Sequence, residues 1–126
     1  MFATADGVGI FKSTYYGVSF SATSALALHW QSIASDSSGL NLFAAASSGD
    51  GIYQSTDSGA SWNAVSISAP SVNDWNSISC DGIGKYVYVV SGKEGYGGVI
   101  YMSSNYGTSW VFTRAPSGLY TKIVSA

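Results

Sequence analysis

The sequence predicts an all-β fold of repeated four-stranded antiparallel sheets, the blades of a β-propeller, and three observations lead there. First, Trp30-Gln31-Ser32-Ile33-Ala34-Ser35-Asp36 aligns with Trp75-Asn76-Ser77-Ile78-Ser79-Cys80-Asp81, 45 residues on, and Tyr120–Ala126 begins a third copy after the same interval. Second, Ser55-Thr56-Asp57-Ser58-Gly59-Ala60-Ser61-Trp62 matches Ser103–Trp110, 48 residues later, with a degenerate copy at Ser13–Phe20, 42 residues earlier. A period of about 40–50 residues is the spacing of four-stranded blades. Third, the 126 residues include 15 Gly, 9 Tyr and 4 Trp but only 2 Pro, and 10% are charged. Small and aromatic residues suit sheets stacked face to face and joined by tight glycine turns.

The elements follow in order. Phe2–Phe11 matches Phe43–Tyr53, so the chain enters its first blade at a second strand. The Ala-Leu-Ala-Leu stretch within Ser21–Leu28 competes as a helical turn, but its length favours a connector. Trp30–Ser35 alternates polar and apolar residues up to the turn Asp36-Ser37-Ser38-Gly39, as a first strand does. Leu40–Ser47 is apolar on both faces, the pattern of a strand sandwiched between neighbouring sheets. Gly49-Asp50-Gly51 turns the chain into Ile52–Ser55, and Asp57–Gly59 turns it into Trp62–Ser68.

Residues 1–126 therefore read as one partial propeller unit. Strands two to four of a blade occupy about 2–24, whole blades about 30–70 and about 75–116, and a lone innermost strand 120–126. This amounts to three blades' worth with a circularly permuted seam inside one blade. Propellers usually need about four to eight blades, so closure of the ring is expected through oligomerisation.

Composition also excludes functions. Five Lys+Arg against seven Asp+Glu leave a net charge of −2, too few cations for a phosphate-neutralising stripe, so no nucleic-acid partner is expected. The single Cys80 excludes a disulfide framework and a Cys-based zinc site. No apolar run is long enough for a membrane span. His29 lacks a Gly-x-Ser-x-Gly nucleophile motif. Gly7-Val8-Gly9 and Gly95-Tyr96-Gly97-Gly98 precede neither a helix pattern nor Gly-Lys-Ser/Thr, so they read as hairpin turns rather than phosphate loops. Asp36, Asp50 and Asp81 fall on different turns, against a calcium cluster. No metal and no cofactor are expected.

The motif Ser-x-Asp-x-Gly-x-x-Trp resembles the Asp-box, or bacterial neuraminidase repeat, of sialidase- and sortilin-like β-propellers. One box is complete (Ser55, Asp57, Gly59, Trp62). The second carries Asn105 for Asp among Ser103, Gly107 and Trp110, and the first keeps Ser13 and Gly17 but has Tyr15 for Asp and Phe20 for Trp. The physical role is structural: Asp57 accepts turn amides, Gly59 permits positive φ, and Trp62 buries apolar surface. Asn105 does most of the carboxylate's work, whereas Tyr15 does not, so the first turn is expected to be looser or braced elsewhere. The resemblance places the box on the outer periphery, away from an active site. It also implies that a sialidase needs an arginine triad, while this chain has Arg114 alone. No enzyme and no catalytic residue are expected.

In an antiparallel blade, the turns between second and third strands share a face with the blade-to-blade connectors. That face collects Asp6-Gly7, Asp50-Gly51, the charged loop Gly92–Gly98 and the connector ends His29-Trp30, Asp74-Trp75 and Leu119-Tyr120. Candidate ligand-binding residues are Trp30, Asp50, Asp74, Trp75, Lys93, Glu94, Tyr96 and Tyr120. The aromatics at positions 30, 75 and 120 either plug the gaps between blades or ring the central opening as sugar-stacking surfaces. The functional expectation is a non-enzymatic binding or scaffold module that closes a ring, most simply a six-bladed head-to-tail homodimer. A higher ring, a multivalent carbohydrate-binding lectin, another protein partner, and a fragment of a longer propeller are the alternatives.

Overall fold

The computed structural model describes residues 1–68, 74–93, 97–116 and 118–125, with only the backbone of Lys93. Among them there are three antiparallel sheets and no helix. The first sheet holds β1 (Phe2–Ala5), β2 (Gly9–Lys12) and β3 (Ser21–Ala22). The second runs β4 (Trp30–Ser35), β5 (Leu42–Ala46), β6 (Gly51–Ser55) and β7 (Asn63–Val65). The third runs β8 (Trp75–Cys80), β9 (Val87–Lys93), β10 (Gly97–Ser103) and β11 (Val111–Phe112). Each is a meander, the connectivity of a propeller blade.

The repeat governs register as well as length. Trp30 pairs with Ala46 and Ser32 with Ala45, skipping Gln31; Trp75 pairs with Ser91 and Ser77 with Val90, skipping Asn76. The same bulge thus opens both innermost strands, one residue after the aromatic. In the first sheet, Phe2 faces Lys12 and Ala5 faces Gly9, as Phe43 faces Gln54 and Ala46 faces Gly51. β1 therefore stands where β5 stands in its blade, with nothing on its inner edge among the described residues. The Ser21–Leu28 stretch forms the two-residue β3 and then a connector, not a helix.

Two apolar layers hold the sheets together. Ile10, Trp30, Ala44 and Ala46 form the first, with Ala25, Leu28, Ile33, Tyr53 and Trp62 against it. Phe43, Ala45, Ile52, Trp75, Ile78, Val87, Val89 and Tyr101 form the second. β5 contributes to both because its residues alternate between faces and all five are buried. This explains the Leu-Phe-Ala-Ala-Ala sequence: alanines let the neighbouring sheets approach closely. Innermost strands also meet side by side. Ser32 Oγ donates to Ile78 O at 3.4 Å and accepts from Ile78 N at 3.2 Å, a hydroxyl staple between blades.

Candidate functional site

The Ser-x-Asp-x-Gly turns are built by one serine each. The fully buried Ser55 Oγ accepts from Gly59 N at 2.8 Å and donates to Asp57 Oδ1 at 2.8 Å. Asp57 in turn accepts from Ser61 N at 2.8 Å and Ser61 Oγ at 2.6 Å. Ser61 and Ser55 hold the Asp57 carboxyl down at about 2. Ser103, Asn105 and Ser109 repeat the pattern, with Asn105 Nδ2 donating to Ser109 Oγ. Gly59 (φ +86°) and Gly107 (φ +77°) have left-handed backbones, and a Cβ on Gly107 would lie 2.9 Å from the Phe43 ring. The first turn, expected to be looser or braced elsewhere, keeps the shared geometry: Ser13 Oγ accepts from Gly17 N at 2.9 Å, and Tyr16 and Gly17 have positive φ as in the other two. The serine alone sets this geometry, and the acidic position adds bonds to it.

The tryptophans that close the boxes lie half-buried against the sheets. Trp110 Nε1 donates to Gly107 O. Trp62 Nε1 has no partner among the described residues; the corresponding Gly59 O accepts from Ser24 N at 3.3 Å.

On the opposite face, the structure joins the β5–β6 turn to the connectors before β4 and β8. Asp50 Oδ2 accepts from His29 N and meets His29 Nδ1, both at 2.9 Å. These bonds, backbone first, lower the Asp50 pKa and keep it ionised. Asp74 Oδ1 accepts from Ser48 N at 2.9 Å, tying the next connector to the same turn. Gln31 Nε2 donates to Ser47 Oγ at 3.2 Å. Asp50 and Asp74 thus converge on the Ser47–Gly51 turn, and their carboxylates fix backbone.

Trp30 and Trp75 lie in the core. Trp30 is 3% exposed, edge-on to Tyr53 at 5.4 Å, with Nε1 donating to Leu26 O; Trp75 is 4% exposed, edge-on to Tyr101 at 5.9 Å. Neither offers a face for a sugar to stack on, so the gap-plugging alternative describes them. Tyr120 is half-buried, and its hydroxyl donates to Pro116 O, four residues back, as Trp30 does to Leu26. The Lys93 backbone pairs with Gly97; Glu94 and Tyr96 lie outside the described residues.

Sequence reasoning missed His29 as a turn anchor and missed the serine staples. The latter had a signal, since Ser32 and Ser77 occupy the same position of the 45-residue register. Cys80 is half-buried, and burial first, then Asp81 and Asp36, push its thiol up to about 11. Among the described residues no three His, Cys, Asp or Glu side chains gather as a metal site.

No protein-family model matches the chain, and no curated protein matches it. Solved structures do. An ancestral GH74 enzyme superposes with a TM-score of 0.63 at 21% identity over 88% of this chain. The GH74 enzyme of Niastella koreensis superposes with a TM-score of 0.66 at 24% identity over 89%. GH74 enzymes are β-propellers, so the likeness supports the blade architecture. The chain spans 16% of the length of each. The expectation of no enzyme is overturned here: the structural neighbours are glycoside hydrolases.

Proposed function

We propose that the chain is a three-blade propeller unit that closes a ring with a second copy of itself, displaying its turn-and-connector face to a ligand. One observation carries this reading. Residues 120–125 sit on β8 as β8 sits on β4: Ser77 Oγ bridges Ile123 N at 3.2 Å and Ile123 O at 3.5 Å, repeating Ser32 on Ile78. Asn76 Nδ2 reaches Tyr120 O at 3.0 Å, and Ser79 Oγ accepts from Ser125 N at 2.8 Å. These bonds support reading 120–125, which is paired into no sheet among the described residues, as the innermost lane of a further blade. The first sheet lacks that same lane, and the box geometry supports descent of the unit from Asp-box blades.

Sedimentation equilibrium of the purified chain tests the reading. The expected mass is twice the 13.1 kDa of one chain; a species of 13.1 kDa at micromolar concentration refutes self-closure. A glycan array on the sedimenting species tests the ligand class, and retention on no glycan removes carbohydrate as the ligand. A second reading, a segment of a longer propeller enzyme, is favoured by the 16% span of the GH74 neighbours. It predicts a monomer here and glycoside hydrolysis only in the longer protein.

A further inference from the structure

Resting on that reading, we infer a specific seam: Tyr120–Ser125 of a second copy fills the lane beside β1 in one register, and its Tyr120 completes an aromatic set with Phe11 and Phe20. The repeat fixes the partners. Position 30 corresponds to 120, and Phe2–Ala5 corresponds to Phe43–Ala46 through the shared β1–β2 and β5–β6 registers. Transferring the β4–β5 pairing sets Tyr120 of the second copy opposite Ala5, Lys122 opposite Thr4, Ile123 opposite Ala3 and Val124 opposite Phe2. Thr121 falls in the bulge that Gln31 and Asn76 occupy.

The hydrogen-bonding phase of β1 agrees. Met1 and Ser13 exchange backbone bonds (Ser13 N to Met1 O at 2.9 Å, Met1 N to Ser13 O at 3.2 Å). Bonded pairs alternate along an antiparallel ladder, so Ala3 and Ala5 face β2 and the backbone groups of Phe2 and Thr4 face the empty lane. In the complete blade, the Asp36 N to Asn41 O bond sets the phase, and the β5 positions bonded to β4 are Phe43 and Ala45, the counterparts of Phe2 and Thr4.

Burial agrees as well. Ala44, Ala45 and Ala46 are wholly buried, whereas their counterparts Ala3, Thr4 and Ala5 are exposed or half-exposed. Tyr53 and Trp62 pack around Trp30 at 5.4 and 6.3 Å between ring centroids. Their counterparts in the first sheet, Phe11 and Phe20, have no inner-strand aromatic, and Phe20 is 43% exposed. A cavity of about 320 Å³, lined by Met1 and Phe2 on one side and by Ile33 to Gly39 on the other, lies at the Phe2 end of this lane. Within one copy no hydrogen bond joins 120–125 to the first sheet among the described residues. The seam is β-strand addition, with main-chain bonds supplying affinity and the aromatic fixing register.

Disulfide trapping tests the seam. In a Cys80→Ser background, Ala3→Cys with Ile123→Cys places cysteines at a non-bonded cross-strand pair, within disulfide reach. Phe2→Cys with Val124→Cys samples the same register at a side chain that is 90% exposed in the single copy and tolerates replacement. Both are expected to give copy-to-copy crosslinks on mild oxidation, while the slipped pair Ala3→Cys with Val124→Cys gives at least tenfold less. Crosslinking of the slipped pair in preference overturns the register. A sedimenting dimer that crosslinks at neither in-register pair overturns the seam and leaves the assembly reading intact; a monomer overturns both. Tyr120→Ala is expected to weaken dimerisation at least tenfold, and an unchanged dimer overturns the aromatic role.

Discussion

Replacing Ser55 by Ala isolates the physics of the turn. Ser55 is fully buried and its hydroxyl makes two 2.8 Å bonds, one from the buried Gly59 amide and one to Asp57. The substitution strands the amide, and a buried unsatisfied donor costs about 1–3 kcal/mol. Asp57 keeps both Ser61 bonds, so its carboxylate is not orphaned, and the oxygen leaves little void. The expected loss is about 2 kcal/mol, a sizeable part of a usual domain stability of about 5–15 kcal/mol. Urea unfolding at fixed chain concentration measures it, because the proposed self-association makes stability concentration-dependent. Ser103→Ala repeats the experiment in the third sheet, where Gly107 N donates to Ser103 Oγ at 2.9 Å. Thr56→Ala, exposed and outside these bonds, is the control. A loss below about 0.5 kcal/mol at both serines refutes the assignment of the turn to the hydroxyl.

Three further outcomes follow from the same geometry. Phe43→Ala, at a side chain with no exposure between the second and third sheets, is expected to cost about 3–5 kcal/mol in the same urea assay. The pKa values of Asp57, Asp50 and Asp36 are lowered in the folded chain; at Asp36 burial opposes the charge, but bonds from Asn41, Ser38 and Gly39 outweigh it. Lowered carboxylates contribute stability above their unfolded value, so thermal melts are expected to hold from neutrality to about pH 4 and then fall as pH drops toward 2. Lys122 stands where Ser32 and Ser77 make staples and has no acceptor to offer a backbone amide. In the proposed ring, Lys122→Ser adds a staple at each seam and is expected to tighten dimerisation by about 1 kcal/mol per seam, read by sedimentation.

Much of the blade was legible because repetition converts sequence into register. Two aromatic-led segments 45 residues apart place β4 and β8, and the apolar Leu42–Ala46 announces a strand covered on both faces. The outer strands were legible only as turns with something after them: β7 is three residues long and both β3 and β11 two, since outer strands have few apolar contacts to enforce their pattern. The candidate site was read less well. Period-2 reasoning puts Trp30 and Trp75 at the head of a strand, but which face of the sheet they take depends on packing between blades, and both go inward. Asp50 and Asp74 lie at the Ser47–Gly51 turn and its neighbouring connector, where their partners, His29 N and Ser48 N, are backbone groups that carry no side-chain signal.

Residue-resolved hydrogen exchange at Phe2 and Thr4 tests the closing of the ring most directly. Ala3 and Ala5, bonded to β2, serve as internal references, and Phe43 and Ala45 as the same positions in a complete blade. With the lane filled by a second copy, the Phe2 and Thr4 amides are protected to the level of Phe43 and Ala45, and protection falls on dilution. Free exchange of Phe2 and Thr4 beside a protected Ala3, at concentrations where the chain is assembled, contradicts it.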